Sequence, residues 1–332
     1  MVRLPTGRLV ALLALGAAVA ATGEPAPLEG LEQVLPERTG PRGQVLPWST
    51  TRAPPTLLRQ AALTPALQRT WERKLLAVAA ALRRAPVLAS PRGFHLQLQG
   101  SLGVIPGQPP PRALLAGALR LWAWPLDQLV GGRGGAPRLR PGASVPALEL
   151  SFNEPPEPRS LEGLDWMRDE RGAFFTLPGE AQLQGFPVIA GELWLSPPGA
   201  GPFRPVSRER LIDAFLRAHP RPTGSLARLA ARYGALRDAV SAEALAGPAW
   251  LSDDPLEPAL VQPDVPGARP VLELVPGFLA PAAGRAEVRL VRVKGLEAAA
   301  QAARQPADSP QRVYLEVLQQ VDWKALMAAA GR

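Results

Sequence analysis

Residues 64–125 decide the fold: TPALQRTWERKLLAVAAALRRAPVLASPRGFHLQLQGSLGVIPGQPPPRALLAGALRLWAWP. Thr64 is suited to cap a helix and Pro65 to occupy its first position, whereas Pro86 cannot continue it. Between them, apolar side chains recur at spacings of 4, 4, 3 and 4 at Leu67, Trp71, Leu75, Val78 and Leu82. This spacing puts them on one helix face. We therefore predict an amphipathic helix from Thr64 to about Arg83.

The hydrophobic period changes from about 3.6 to 2 after the turn Pro91–Gly93. The sequence predicts one strand over Phe94–Gln99 and a second over Leu115–Trp124, with a loop over 100–111 between them. In the second strand, Leu119, Leu121 and Ala123 share one face, and Arg120, Trp122 and Trp124 share the other. Such alternation is typical of half-buried antiparallel strands.

The remaining periodic segments extend the same mixture of strands and helices. Strands are predicted at 148–152, 173–177, 188–195, 270–275 and 286–293, the last two as a pair. The segment 286–293 has apolar residues of both parities, which predicts a bulge or burial on both faces. Helices are predicted at 207–219, 225–246, 296–304 and 323–330, with Ser241 as a possible start of a separate short helix. The Gly- and Arg-rich segment 130–142 suits a hairpin connection.

These elements predict an α+β protein with a mostly antiparallel sheet covered by several helices. The chain has 332 residues with 40 Pro and 31 Gly, which predicts long Pro/Gly-rich loops because Pro is excluded from helix interiors and central strands. We expect residues 21–60 to form a Pro-rich arm and residues 61–332 a single domain, with a possible subdivision near 248–270.

The N-terminus has the pattern of a Sec-type signal peptide. Arg3 and Arg8 form a basic region, residues 9–19 are an uncharged apolar run, and Ala18-Val19-Ala20 matches a small-residue cleavage site. The run is shorter than the ~20 residues that a membrane span needs. We therefore expect residues 1–20 to be cleaved, and the mature protein to be periplasmic or secreted with no stable membrane span.

Several kinds of chemistry lack the residues that they require. The chain has no Cys, which excludes disulfides, thiolate zinc sites and cysteine nucleophiles. Its two His, His95 and His219, occur in no paired metal-ligand spacing, and neither a GxSxG elbow nor a phosphate-binding loop is present. The sequence predicts no metal and no cofactor.

The formal net charge of +8 comes almost entirely from Arg, because Lys occurs only at positions 74, 294 and 324. The Arg residues are scattered, few aromatics lie among them, and no nucleic-acid-binding motif accompanies them. We expect no nucleic-acid partner.

Arg120, Trp122 and Trp124 are the candidate binding residues. Two Trp and one Arg aligned at period 2 could stack against a sugar or hold a peptide. The alternative is that both faces of the strand are covered and the Trp belong to the core.

A carboxylate-based hydrolase is the competing functional hypothesis, because its two acids need no local motif. The strongest set is Asp165, Asp169 and Glu170, followed by Asp253 and Asp254. On balance, the sequence favours a non-enzymatic binding or scaffolding module of the bacterial cell envelope, whose partner is an envelope protein or a polysaccharide. The alternative function is a hydrolase acting on a cell-envelope polymer.

Overall fold

The computed structural model describes residues 35–106, 113–131, 137–140, 147–154, 167–176, 181–189, 192–197, 201–252, 259–275, 278–279, 286–296, 305–306, 309 and 312–331. These residues fall into two compact units. The described residues of the large unit lie within Pro25–Pro156, Glu180–Pro202 and Pro276–Arg332, and those of the small unit lie within Glu157–Gly179 and Phe203–Val275. Residues 248–270, where a subdivision was predicted, therefore lie within the segment Phe203–Val275 of the small unit.

The described residues form eight α-helices: α1 (Pro55–Gln60), α2 (Pro65–Leu82), α3 (Pro86–Ala89), α4 (Arg208–Ala218), α5 (Gly224–Ala239), α6 (Ala242–Ala246), α7 (Arg312–Gln320) and α8 (Trp323–Gly331). The strands are β1 (Ser49–Thr51), β2 (Phe94–Pro106), β3 (Ala113–Pro125), β4 (Leu129–Gly131), β5 (Pro137–Leu139), β6 (Ala147–Phe152), β7 (Arg168–Asp169), β8 (Gly172–Thr176), β9 (Ala181–Leu183), β10 (Phe186–Ile189), β11 (Glu192–Leu195), β12 (Phe203–Pro205), β13 (Trp250–Leu251), β14 (Arg269–Leu274) and β15 (Val291–Lys294). The predicted α+β class, with mostly antiparallel pairing, is confirmed.

The large unit is built on an eight-stranded sheet in the order β1-β2-β3-β6-β15-β11-β10-β9. β1 pairs with β2 in parallel, and the other neighbours are antiparallel. β2 and β3 pair along their whole length, from Phe94 opposite Pro125 to Pro106 opposite Ala113. β15 comes from late in the chain and yet lies in the middle of the sheet, between β6 and β11.

The predicted helix is confirmed as α2, and it covers one face of this sheet. The Thr64 hydroxyl accepts a hydrogen bond from the Leu67 N–H, which is the predicted cap. Trp71, Leu75 and Val78 are completely buried. They join a core that also contains residues of α7, α8 and the inward-facing side of the strands.

Residues 42–51 run alongside β2 and extend the sheet. The Leu46 N–H donates to the Leu96 carbonyl, and the Leu96 N–H donates to the Gln44 carbonyl. β1 then continues the same parallel pairing, with Ser49 opposite Gln99. Part of the segment expected to be an arm is thus hydrogen-bonded to the sheet, and residues 21–34 lie outside the described residues.

The small unit has a five-stranded sheet in which β12, β14, β8 and β7 are neighbours and β13 also pairs with β14. Its core packs side chains of α4 and α5 with those of the sheet, including Phe174, Phe215, Tyr233 and Val271. The predicted helix starting at Ser207 is confirmed, because the Ser207 hydroxyl accepts from the Arg210 N–H and α4 ends at Ala218. The region predicted as 225–246 is two helices, α5 and α6, and Ser241 caps the second.

The predicted loop at 100–111 is wrong over residues 100–106, which belong to β2; residues 107–112 lie outside the described residues. Gly100 marks close packing rather than a turn, because a Cβ there would lie 2.8 Å from the Trp48 ring. Gly117 on β3 is similar, with Leu75 and Trp71 atoms at 3.3 and 3.4 Å from its hypothetical Cβ. Glycine inside a strand often signals such close approach.

Two strand predictions need correction. The single strand predicted over 188–195 is the two antiparallel strands β10 and β11; a turn and a bulge both use Gly, and period 2 does not distinguish them. The predicted pairing of 270–275 with 286–293 is also wrong. β14 pairs with β8, β12 and β13, whereas β15 pairs with β6 and β11 in the other sheet.

Three further predictions can be compared with the structure. Burial of both faces is confirmed at Val291, Arg292 and Val293. The C-terminal helix is confirmed as α8, whereas α7 was not predicted. The signal peptide at 1–20 and most of the predicted helix 296–304 lie outside the described residues.

Candidate functional site

The outer face of the large sheet carries the predicted binding residues. On β3, Leu119, Leu121 and Ala123 point into the core and are at most 1% exposed. The alternate residues Arg120, Trp122 and Trp124 therefore share the opposite face. On β2, Gln97 lies opposite Trp122 and Gln99 lies opposite Arg120.

The two Trp rings form a stacked pair, with centroids 6.3 Å apart and planes inclined by 24°. Trp124 is only 6% exposed, and its Nε1 donates a 2.8 Å hydrogen bond to Gln97 Oε1. Trp122 is half-buried. The accessible aromatic surface is therefore that of Trp122, and Trp124 supports it from the side.

Arg120 is the exposed member of the set, with half of its side-chain surface accessible. Its Nε donates a 2.6 Å bond to Glu149 Oε2 on the adjacent strand. The two Nη groups have no partner among the described residues. The bond to Glu149 fixes the plane of the guanidinium and leaves its outer edge for another acceptor.

Alternating charges continue from Arg120 across the same face. Lys294 lies 3.5 Å from Glu149 and 2.6 Å from Glu154. Arg292 donates to both oxygens of Glu192, at 2.7 and 3.0 Å. The ladder holds three cations and three anions, so it is electrically neutral: Arg120, Arg292 and Lys294 with Glu149, Glu154 and Glu192.

The cations of this ladder become more buried with distance from Arg120: the side chain of Arg120 is half exposed, that of Lys294 is less exposed and that of Arg292 is nearly buried. The Arg292 side chain is 7% exposed, and its guanidinium lies 5.1 Å from the centroid of the Trp194 ring. Burial raises the pKa of Glu154, but hydrogen bonds from Lys294 and Ser151, with the charges of Lys294 and Arg292, outweigh it and lower the pKa overall. Glu154 therefore stays ionised at neutral pH. Arg120 lies at the exposed end of the ladder.

The carboxylates considered for catalysis are not brought together as a described pair. Asp165, Asp253 and Asp254 lie outside the described residues. Asp169 accepts hydrogen bonds from Arg210 Nε and Nη2, at 2.7 and 2.9 Å. Glu170 is exposed and lies 3.8 Å from Arg217.

Asp169 shares Arg210 with a second carboxylate, Glu273, which sequence reasoning missed. Arg210 Nη1 contacts Glu273 Oε1, so one guanidinium bridges the two acids. Hydrogen bonds from Arg210 and from the N–H groups of Arg171 and Gly172 lower the pKa of Asp169 more than burial raises it. A carboxyl held in the ionised form in this way is poorly suited to donate a proton to a leaving group.

The two histidines occupy structural positions in different units. His95 is buried, its Nδ1 accepts from the Gln44 N–H, and its Nε2 lies 3.2 Å from the Leu126 carbonyl oxygen. His219 follows α4, and its ring lies 4.9 Å from that of Phe215. In the part of the chain that the structure describes, no three His, Asp or Glu side chains are placed to hold a metal ion.

Sequence reasoning also missed Glu149, Lys294, Arg292 and Glu192. The sequence predicts which face of its own strand each residue occupies. It does not predict the strand order that makes these residues neighbours, because β15 pairs with β6 although it lies more than 130 residues further along the chain.

No protein-family model matches this chain, and neither the curated proteins nor the solved structures include one that resembles it significantly. Among the described residues, no helix has both the length and the apolar character needed to cross a membrane.

Proposed function

We propose that this chain is an exported protein of the cell envelope that acts as a non-enzymatic binding module, with the outer face of β2 and β3 as its binding surface. The observation that carries the proposal is the half-buried Trp122, which is stacked against Trp124. The half-exposed Arg120 lies two residues before it on the same strand. The N-terminal sequence supports the export half of the proposal.

Aromatic rings at protein surfaces supply a flat apolar area with little loss of side-chain entropy on binding. Trp122 has this property because Trp124 fixes its position on one side. The polar groups around it, Gln97, Gln99 and Arg120, suit a partner that has hydroxyl or carbonyl groups beside an apolar ring face. A polysaccharide has both.

The test is retention of the purified mature protein on insoluble envelope polysaccharide, comparing wild type with Trp122→Ala. We expect Trp122→Ala to weaken retention roughly tenfold, which corresponds to the ~1.4 kcal/mol expected for one stacking contact. Trp250→Ala is the control, because Trp250 is also partly exposed but lies in the small unit. Equal retention of wild type and Trp122→Ala would contradict the proposal.

Export is tested separately by cell fractionation and by mass spectrometry of the purified protein. The mature chain is expected to begin at Ala21 and to be recovered outside the cytoplasm. A cytoplasmic protein that retains Met1 would rule this part out.

The alternative of a carboxylate-dependent hydrolase stays a prediction. Its candidate acids are Asp165, Asp169 and Glu170, followed by Asp253 and Asp254. Release of reducing ends from envelope polysaccharide, lost in Asp165→Asn or Asp253→Asn, would favour it over passive binding.

A further inference from the structure

The outer face of β2 and β3 presents donors on both sides of the accessible aromatic ring. The Trp124 indole N–H donates to Gln97 Oε1, and the NH₂ group of the same amide has no partner among the described residues. Arg120 can only donate, and its Nη groups have no partner among the described residues. The Gln97 carbonyl oxygen beside this ring is therefore used within the protein, whereas the Nη groups of Arg120 have no acceptor among the described residues.

From this imbalance we infer that the ligand is an acidic polysaccharide, with a carboxylate on each recognised sugar. The inference rests on the binding function proposed above and names its ligand class. One sugar ring stacks on Trp122, and its carboxylate binds the outer edge of the Arg120 guanidinium. The overall positive charge of the chain adds long-range attraction for such a polymer.

The face is also open where a polymer would continue. Beyond Arg120 along the strands, the outer residues are Ala118, Ser101 and Gly103, which are small and at least partly exposed. A Cβ added at Gly103 would meet no atom within 4 Å. These residues therefore offer little side-chain bulk to a neighbouring sugar.

The experiment uses titration calorimetry of the mature protein with polygalacturonate and with its methyl-esterified form, which has the same backbone without the charges. We expect the acid form to bind at least tenfold more tightly. Arg120→Gln should reduce this preference to about twofold, and Trp122→Ala should weaken binding of both forms about tenfold. Arg84→Gln removes the same charge from the end of the α2 region and should change either affinity by less than twofold.

The outcomes separate the two proposals. Equal affinity for the acid and ester forms, or an unchanged preference in Arg120→Gln, overturns the assignment of an acidic sugar while leaving the binding face in place. A loss in Arg84→Gln as large as that in Arg120→Gln also overturns it, because attraction would then depend on net charge alone. Failure to bind either form, with retention on envelope polysaccharide unaffected by Trp122→Ala, overturns both proposals.

Discussion

Arg210 is the residue on which the polar interior of the small unit depends. Its guanidinium contacts Asp169 and Glu273 and lies 4.9 Å from the centroid of the Phe174 ring. All of these side chains are nearly buried, with 4% of Asp169 and 13% of Arg210 exposed. Buried charges are tolerated only when they are paired and hydrogen-bonded, so replacing either acid removes one of the two ionic partners of the buried Arg210 guanidinium.

We predict that Asp169→Asn lowers the free energy of unfolding by about 3 kcal/mol at pH 7, because it breaks a buried ion pair. The pKa of Asp169 is lowered in the folded state, so its contribution is present above the ordinary Asp pKa of about 3.9 and is lost as the pH falls below that value. Urea unfolding at pH 7, 5, 4 and 3 should therefore show the difference between wild type and Asp169→Asn shrinking below about pH 4.

Glu170→Gln provides the matched control for this measurement, because the neighbouring carboxylate is 75% exposed. It should change the free energy of unfolding by less than about 0.5 kcal/mol at every pH. A difference between wild type and Asp169→Asn that stays constant from pH 7 to pH 3 would contradict the assigned role.

The burial and the hydrogen-bond partners of Lys74 could not be predicted from the sequence. Helical spacing places it beside the apolar stripe as one of several basic positions. In the structure it is buried, and its Nζ donates to the carbonyls of Ala330 and Gly331 at 3.1 and 3.0 Å. Those carbonyls end α8, where a cation is favoured by the helix dipole, and only the tertiary fold brings them within reach.

At the scale of elements, the segment beside β2 has the tightest requirement. Gly43 donates its N–H to the Pro91 carbonyl at 2.9 Å. A Cβ at Gly43 would lie 1.6 Å from the Phe94 carbonyl oxygen. Only glycine lets this segment approach the sheet edge closely enough for the hydrogen bonds of Leu46 and Gln44 to form.

Gly43→Ala should therefore destabilise the large unit by about 2–4 kcal/mol, because the backbone of residues 42–46 must move away from β2. Gly103→Ala in the same sheet is the control, since its added methyl group meets no atom, and it should be neutral or slightly stabilising. Thermal unfolding followed by circular dichroism measures both. Equal stability of the two variants would show that this segment does not pack against β2 in solution.

Helices and strands with a clear cap or hydrophobic period could be predicted from the sequence. The neighbours of each strand in its sheet could not. The caps at Thr64 and Ser207 and the period-2 face holding Arg120, Trp122 and Trp124 follow from spacing alone. The pairing of β14 and β15 was mispredicted because adjacent strands in sequence are the default neighbours, and here they belong to separate sheets. The charge ladder was missed for the same reason, since cross-strand neighbours depend on strand order.

At the scale of the whole molecule, a buried ion pair joins the two ends of the described chain within the large unit. Arg38 Nε lies 2.9 Å from both oxygens of Glu316, which is 278 residues away. Both side chains are about 6% exposed or less, and Arg38 also donates to the Ser309 carbonyl at 2.8 Å. Burial raises the pKa of Glu316, and the hydrogen bond and charge of Arg38 offset this only in part.

We predict that Glu316→Leu lowers the free energy of unfolding of the large unit by about 3–5 kcal/mol, because it leaves the Arg38 charge buried without its partner. The double variant Arg38→Met/Glu316→Leu should recover most of this loss, since neither charge then remains. Native-state hydrogen exchange of amides in β2 and α7 measures the effect. A double variant as unstable as the single one would mean that packing, rather than charge pairing, dominates at this position.

The place of β15 in the large sheet sets the order in which a newly made chain can fold. Until residue 291 has left the ribosome, β6 and β11 each have an uncovered edge, and the sheet stays divided into two incomplete halves. The strand that closes it arrives after more than four-fifths of the protein has been synthesised. Nascent chains of this protein should therefore remain open and accessible to chaperones for most of their translation.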